Sequence, residues 1–130
     1  MRFYFVIVTI VLISCQKNDI DISNEWRLTS YVKGPGEMVK NSGFYLKIEL
    51  TKDKNFTAFL NTNECIGNYT NGVKNFEITN LSCDSLCCDS SLSREALHLI
   101  MDSVETYAIN GNVLKLSGSH FTKLEFNLVQ

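Results

Sequence analysis

Proline is nearly absent from this chain: Pro35 is the one example in 130 residues. That scarcity excludes proline-rich linkers and polyproline segments. There is no basic excess either: 12 Lys plus Arg stand against 14 Asp plus Glu, a formal net charge of −2. Without a basic patch or an arginine cluster, no nucleic-acid partner is expected. No apolar run reaches the roughly 20 residues that a membrane-spanning helix needs. Histidine occurs only as His98 and His120. No serine or cysteine stands in a nucleophile context such as G-x-S-x-G.

What is present begins at the N-terminus. Met1-Arg2 precedes an apolar run from Phe3 to Ile13, followed by Ser14-Cys15. A positive start, a short apolar stretch and a small residue before a cut site are the parts of a secretory signal. Leu12-Ile13-Ser14-Cys15 resembles the bacterial lipobox, which implies cleavage before Cys15 and acylation of that cysteine, with residues 1–14 as the signal peptide. Acyl chains contribute about 0.8 kcal/mol per buried methylene, so a multiply acylated Cys15 would hold the protein to a membrane. Residues 15–23 then read as a lipidated tether and 24–130 as the domain. Gln16-Lys17-Asn18-Asp19 lacks an Asp directly after the cysteine and resembles the short signals of surface lipoproteins in Bacteroidota. The expected location is therefore the outer membrane or cell surface.

Removal of the signal leaves 116 residues, with 11 basic and 14 acidic side chains. That is one domain's worth of chain, long enough for a single core. Apart from Cys15, the cysteines are Cys65, Cys83, Cys87 and Cys88. An even number in an exported domain reads as disulfides, with three possible connectivities. Joining Cys87 to its neighbour Cys88 requires a strained eight-membered ring, so the arrangement containing that link is set aside. Two arrangements stay open: Cys65–Cys88 with Cys83–Cys87, or Cys65–Cys87 with Cys83–Cys88. The long link closes a loop of about 24 residues, worth roughly 3 kcal/mol on the chain-entropy model. A four-cysteine zinc site usually shows two C-x₂₋₄-C pairs. This chain has one C-x₃-C and a distant cysteine, so neither a metal nor another cofactor is expected.

Hydropathy alternation makes most of the chain β-structure. Trp26, Leu28 and Val32 alternate with Arg27, Thr29, Tyr31 and Lys33. Phe44, Leu46, Ile48 and Leu50 form the cleanest period-two segment, followed by a polar turn and a strand at Phe56–Leu60. A short strand is expected near Gly67–Thr70, and Asn71-Gly72 reads as a two-residue hairpin leading to a strand over Asn75–Leu81. The cysteine-rich segment reads as a loop. One helix is expected over about 91–105, with Leu97, Ile100, Val104 and Tyr107 on its apolar stripe and Ser91 or Asp89 at its cap. Asn110-Gly111 reads as a second hairpin, and Leu124, Phe126 and Leu128 alternate in the last strand. The fold class is α+β: a small antiparallel barrel-like or curled sheet of seven to eight strands with one helix.

Several pieces occur in a shared order: Trp26-Arg27-Leu28, Asn63…Gly67-x-Tyr69, Cys87-Cys88 before the helix, Val104-x-x-Tyr107-Ala108-Ile109-x-Gly111-x-x-Leu114-x-Leu116, and Leu124-x-Phe126. Together they resemble the META domain family, which includes heat-inducible bacterial lipoproteins, over residues 24–128. The chain departs from that family's central Gly-Cys-Asn-x-aromatic-x-Gly: Thr62 stands at the cysteine position and Cys65 at the aromatic one. The resemblance implies a small barrel-like fold, no known enzymatic activity, and links to stress response, secretion or virulence.

The residues themselves favour no reaction. Glu49, Asp53, Glu77 and Asp102 are scattered, while Asp84 and Asp89 beside the cysteines suit turns and caps better than calcium. Two roles follow as expectations. The first is a non-enzymatic, lipid-anchored envelope protein acting through protein interaction or envelope maintenance under stress. The alternative is a hydrophobic-ligand carrier, or pilotin-like chaperone, whose aromatics line a barrel cavity.

Overall fold

Alternating apolar residues can be buried on one side only if strands pair, and the computed structural model pairs them all antiparallel. It describes residues 21–40, 43, 45–84 and 88–130. The expected signal peptide and the candidate lipidation residue Cys15 lie outside the described residues.

The strands are β1 (Glu25–Gly34), β2 (Glu37–Lys40), β3 (Lys47–Leu50), β4 (Asn55–Phe59), β5 (Glu64–Asn71) and β6 (Phe76–Cys83), followed by the helix α1 (Ser91–Asp102) and by β7 (Val104–Asn110), β8 (Val113–Gly118) and β9 (Lys123–Leu128). Their order in the sheet is β6-β5-β4-β3-β1-β9-β8-β7, with β2 paired to β1. The sheet curls into a half-barrel. Its two outer strands approach at one bridge, Asn75 to Thr106, beside a hydrogen bond from the Tyr107 amide to the Lys74 carbonyl. The helix connects β6 to β7 and turns Ala96, Leu97 and Ile100 into the core.

The core is aromatic and aliphatic: Trp26, Tyr31, Phe56, Tyr69, Phe76 and Phe126 are each 2 % exposed or less. Tyr69 stacks on Phe76, which meets Tyr107 edge-on. Three of the polar tips find backbone acceptors, as burial favours. Tyr69 donates to the Thr51 carbonyl, Tyr107 to that of Gly72, and the Trp26 indole to that of Ile22.

Some local expectations need correction. Tyr31 is buried, while Val32, expected inside, is only half-buried. Leu28 pairs with Phe126 and Ser30 with Glu125, so Thr29 is an extra residue in β1. Such a bulge shifts the two-residue alternation by one, and Tyr31 comes to face Leu124 in the core. Val104 and Tyr107 belong to β7 rather than to the helix. The helix is capped by Ser90, whose hydroxyl accepts from the Ser93 amide at 3.1 Å. The β5–β6 ladder ends at Asn71–Phe76, leaving a four-residue connection over 72–75 instead of a two-residue turn. In the next hairpin Asn110 pairs with Val113, so the turn residues are Gly111 and Asn112. The strand β2 had no counterpart in the hydropathy pattern, because its four residues form half of a hairpin around Gly34-Pro35-Gly36.

Candidate interaction surface

The half-barrel has two ends of different character. The chain enters at one of them: Asn24 accepts from the Leu50 amide and Val129 donates to the Glu25 carbonyl. The β3–β4 turn lies here, and its Lys52 and Lys54 help hold the Asp21 carboxyl below its ordinary value. The main causes of that lowering are the hydrogen bonds that Asp21 receives from the side chain and amide of Ser23. Burial, with a smaller contribution from the Asp21 charge, raises the Tyr69 phenol.

The opposite end carries the β1–β2 and β8–β9 hairpins. Register brings four strands into line there. Met38 pairs with Val32, Val32 with Lys123, and Lys123 with Ser117. Two residues along each strand, Lys40, Ser30, Glu125 and Lys115 form a parallel row on the same outer face. The hairpin tips enclose an open groove of about 390 Å³ lined by Val32, Met38, Phe121 and Lys123 among others. Two large apolar side chains stand in solvent beside it: Phe121 is 70 % exposed and Met38 61 %.

The turn that presents Phe121 works against its own sequence. The Thr122 amide donates to the Ser119 carbonyl at 3.1 Å, closing a turn whose central residues are His120 and Phe121. Both have positive φ, +55° and +64°. A two-residue hairpin turn of this kind is normally filled by Asn-Gly, because a Cβ clashes there and costs on the order of 1–2 kcal/mol per residue. Strain of this kind persists only where the surroundings impose it. Gly118, just before the turn, is one such constraint. A Cβ at that position would lie 1.6 Å from the Ser103 carbonyl oxygen, so the backbones of β8 and the helix–β7 junction are in direct contact.

The cysteines are arranged differently from either open connectivity. Cys65 pairs with Cys83, its direct neighbour across β5 and β6, at a Cα–Cα distance of 4.2 Å. Cys65–Cys83 belongs to the arrangement set aside with Cys87–Cys88, and the register of β5 and β6 forms it all the same. Cys87 lies outside the described residues, and Cys88 is exposed with φ +77°. Asp89 is 6 % exposed and accepts from the Thr62 amide and the Asn63 side chain, both at 2.7 Å. It ties the β4–β5 loop to the segment entering the helix. His98 is exposed on the helix, and His120 is exposed in the strained turn. Hydropathy did not single out Met38 or Phe121; the His-Phe pair where a hairpin asks for Asn-Gly was the available signal.

No family model matches this sequence, and no curated protein does. Solved structures resemble the fold. A protein from Burkholderia xenovorans determined by NMR aligns with a TM-score of 0.65 at 14 % identity, covering 83 % of each chain. A DUF4847 family protein from Bacteroides vulgatus aligns at 0.61 with 16 % identity, over 83 % of this chain and 94 % of its own. At such identities the likeness establishes the fold alone.

Proposed function

We propose that this chain is a lipid-anchored, META-like protein of the outer membrane or cell surface that acts without catalysis, by docking a protein partner on the Met38–Phe121 end. The observation that carries the reading is Phe121, a large aromatic held 70 % exposed by a strained turn. Contiguous exposed apolar side chains with a polar rim are typical of interaction sites, and aromatics dominate their binding energy. The interaction reading is favoured over a carrier because the barrel aromatics are packed into the core, while the apolar groove is open and lies outside it.

Photo-crosslinking tests the docking. The full-length protein carries benzoylphenylalanine in place of Phe121, Met38 or, as a control, Ile66 in β5, which is 58 % exposed. Discrete adducts from positions 121 and 38 but not 66 are the expected result; equal or absent adducts at all three sink the docking role. The anchor is tested separately. A Cys15→Ala variant should leave the membrane fraction and globomycin should accumulate the precursor, and unchanged processing would refute lipidation.

A further inference from the structure

The Met38–Phe121 end has a chemistry that goes beyond being apolar. On the outer face of β2, β1, β9 and β8, Lys40, Lys115 and Lys123 stand against Glu125, with Glu37 at the lip of the groove. The chain as a whole is acidic, with a net charge of −2, so this face is locally the reverse of the molecule. Lys123 is in the same lateral row as Met38 and Val32, so a cationic group borders the apolar floor directly.

The position of the anchor narrows the choice of partner. The described chain begins at Asp21, at the other end of β1, and ten residues of strand separate the ends by about 33 Å. Residues 15–20 can reach at most about 20 Å even when fully extended. A domain held through Cys15 therefore cannot turn this end into the membrane that holds its own lipid. The groove is also open, whereas a small-molecule site buries most of its ligand.

We infer that the groove takes an extended, acidic polypeptide segment from another protein, with an aromatic or branched aliphatic side chain seated between Met38 and Phe121 and flanking carboxylates on Lys123 and Lys115. This rests on the docking reading above and specifies its partner. Electrostatic complementarity of this kind selects partners and speeds encounter.

The test uses the full-length protein in nanodiscs of zwitterionic lipid. It is titrated with a fluorescein-labelled twelve-residue peptide alternating Asp or Glu with Leu or Phe. The comparison peptides carry Lys in place of the acidic residues, or Ser in place of the apolar ones. The acidic-apolar peptide should bind at least tenfold more tightly than either. Phe121→Ser should weaken it about tenfold. The double variant Lys115→Glu/Lys123→Glu should reverse the preference, binding the Lys peptide instead, a gain that misfolding cannot produce. No binding, equal affinity for the acidic and basic peptides, or an unreversed preference would overturn the inference. Binding to anionic phospholipid vesicles that depends on Phe121 and Lys123, with the peptides ignored, would assign the face to a lipid surface. Adducts at position 121 combined with no acidic preference would leave the docking role standing and remove only the partner's chemistry.

Discussion

Strand β8 runs between two turns of opposite quality. At one end Gly111 takes a φ of +61°, a conformation that costs a glycine nothing. At the other end His120 and Phe121 take φ values of +55° and +64°, which each would otherwise avoid. The first turn is built for stability at the end where the chain enters. The second gives up stability at the end where Phe121 and Met38 meet solvent. The contrast shows that local preference is overridden at the end where the proposed docking surface lies.

The comparison can be broken most severely at Gly118. A Gly118→Ala change drives a methyl into the Ser103 carbonyl and should cost about 3 kcal/mol or more, since neither backbone can retreat cheaply. Gly111→Ala should cost only about 1 kcal/mol, because its Cβ meets nothing within 4 Å and only φ is strained. Urea denaturation of both variants checks the ratio; equal losses would mean that the two ends are not differently constrained.

Removing the Cys65–Cys83 link is next in size. It closes a loop with a sequence separation of 18, so Cys65→Ala/Cys83→Ala should lose roughly 3 kcal/mol. Because β3 and β4 stand between β5 and the docking strands in the sheet, peptide affinity of the folded fraction should not change. A loss of affinity equal to that of Phe121→Ser would show that the two sides of the sheet are coupled.

Alkaline pH probes the floor beneath the docking end. Burial, then the neighbouring Glu95 carboxylate, through its charge and its hydrogen bond, pushes the Tyr31 phenol up to about 12. A folded value raised above the ordinary 10 means that the stabilising neutral form is intact below pH 10 and lost as pH climbs towards 12. Wild type should therefore lose stability relative to Tyr31→Phe across that window. Parallel curves would remove Tyr31 from the account.

The smallest effect has the opposite sign. His120→Asn/Phe121→Gly should stabilise the protein by about 1–2 kcal/mol by giving the turn the residues it asks for. The same variant should lose partner adducts and peptide binding. Stabilisation with docking retained would disconnect the strain from function.

How much was legible in advance follows from which interactions are local. The alternation in Leu46, Ile48 and Leu50 and in Leu124 and Phe126 marks their buried faces without any tertiary information, because a strand's period is a property of the chain. The stripe of Ala96, Leu97 and Ile100 does the same for the helix, although its end blurred where Val104 continued the spacing into β7. The bulge at Thr29 was not legible, since an inserted residue is defined only against a partner strand, here β9. The cysteine pairing failed for the same reason. Cys65 meets Cys83 because β5 and β6 align in one register out of several that their sequences permit.

By itself, then, the amino-acid order determined the antiparallel α+β character, the position of the helix and most inward-facing residues, all of which depend on neighbours a few positions away. Only the tertiary structure decided the Cys65–Cys83 bridge, the burial of Tyr31 and the placing of Met38 and Phe121 on one groove. Met38 and Phe121 are 83 positions apart in the chain, and what joins them is the hydrogen-bonded register of β2, β1, β9 and β8.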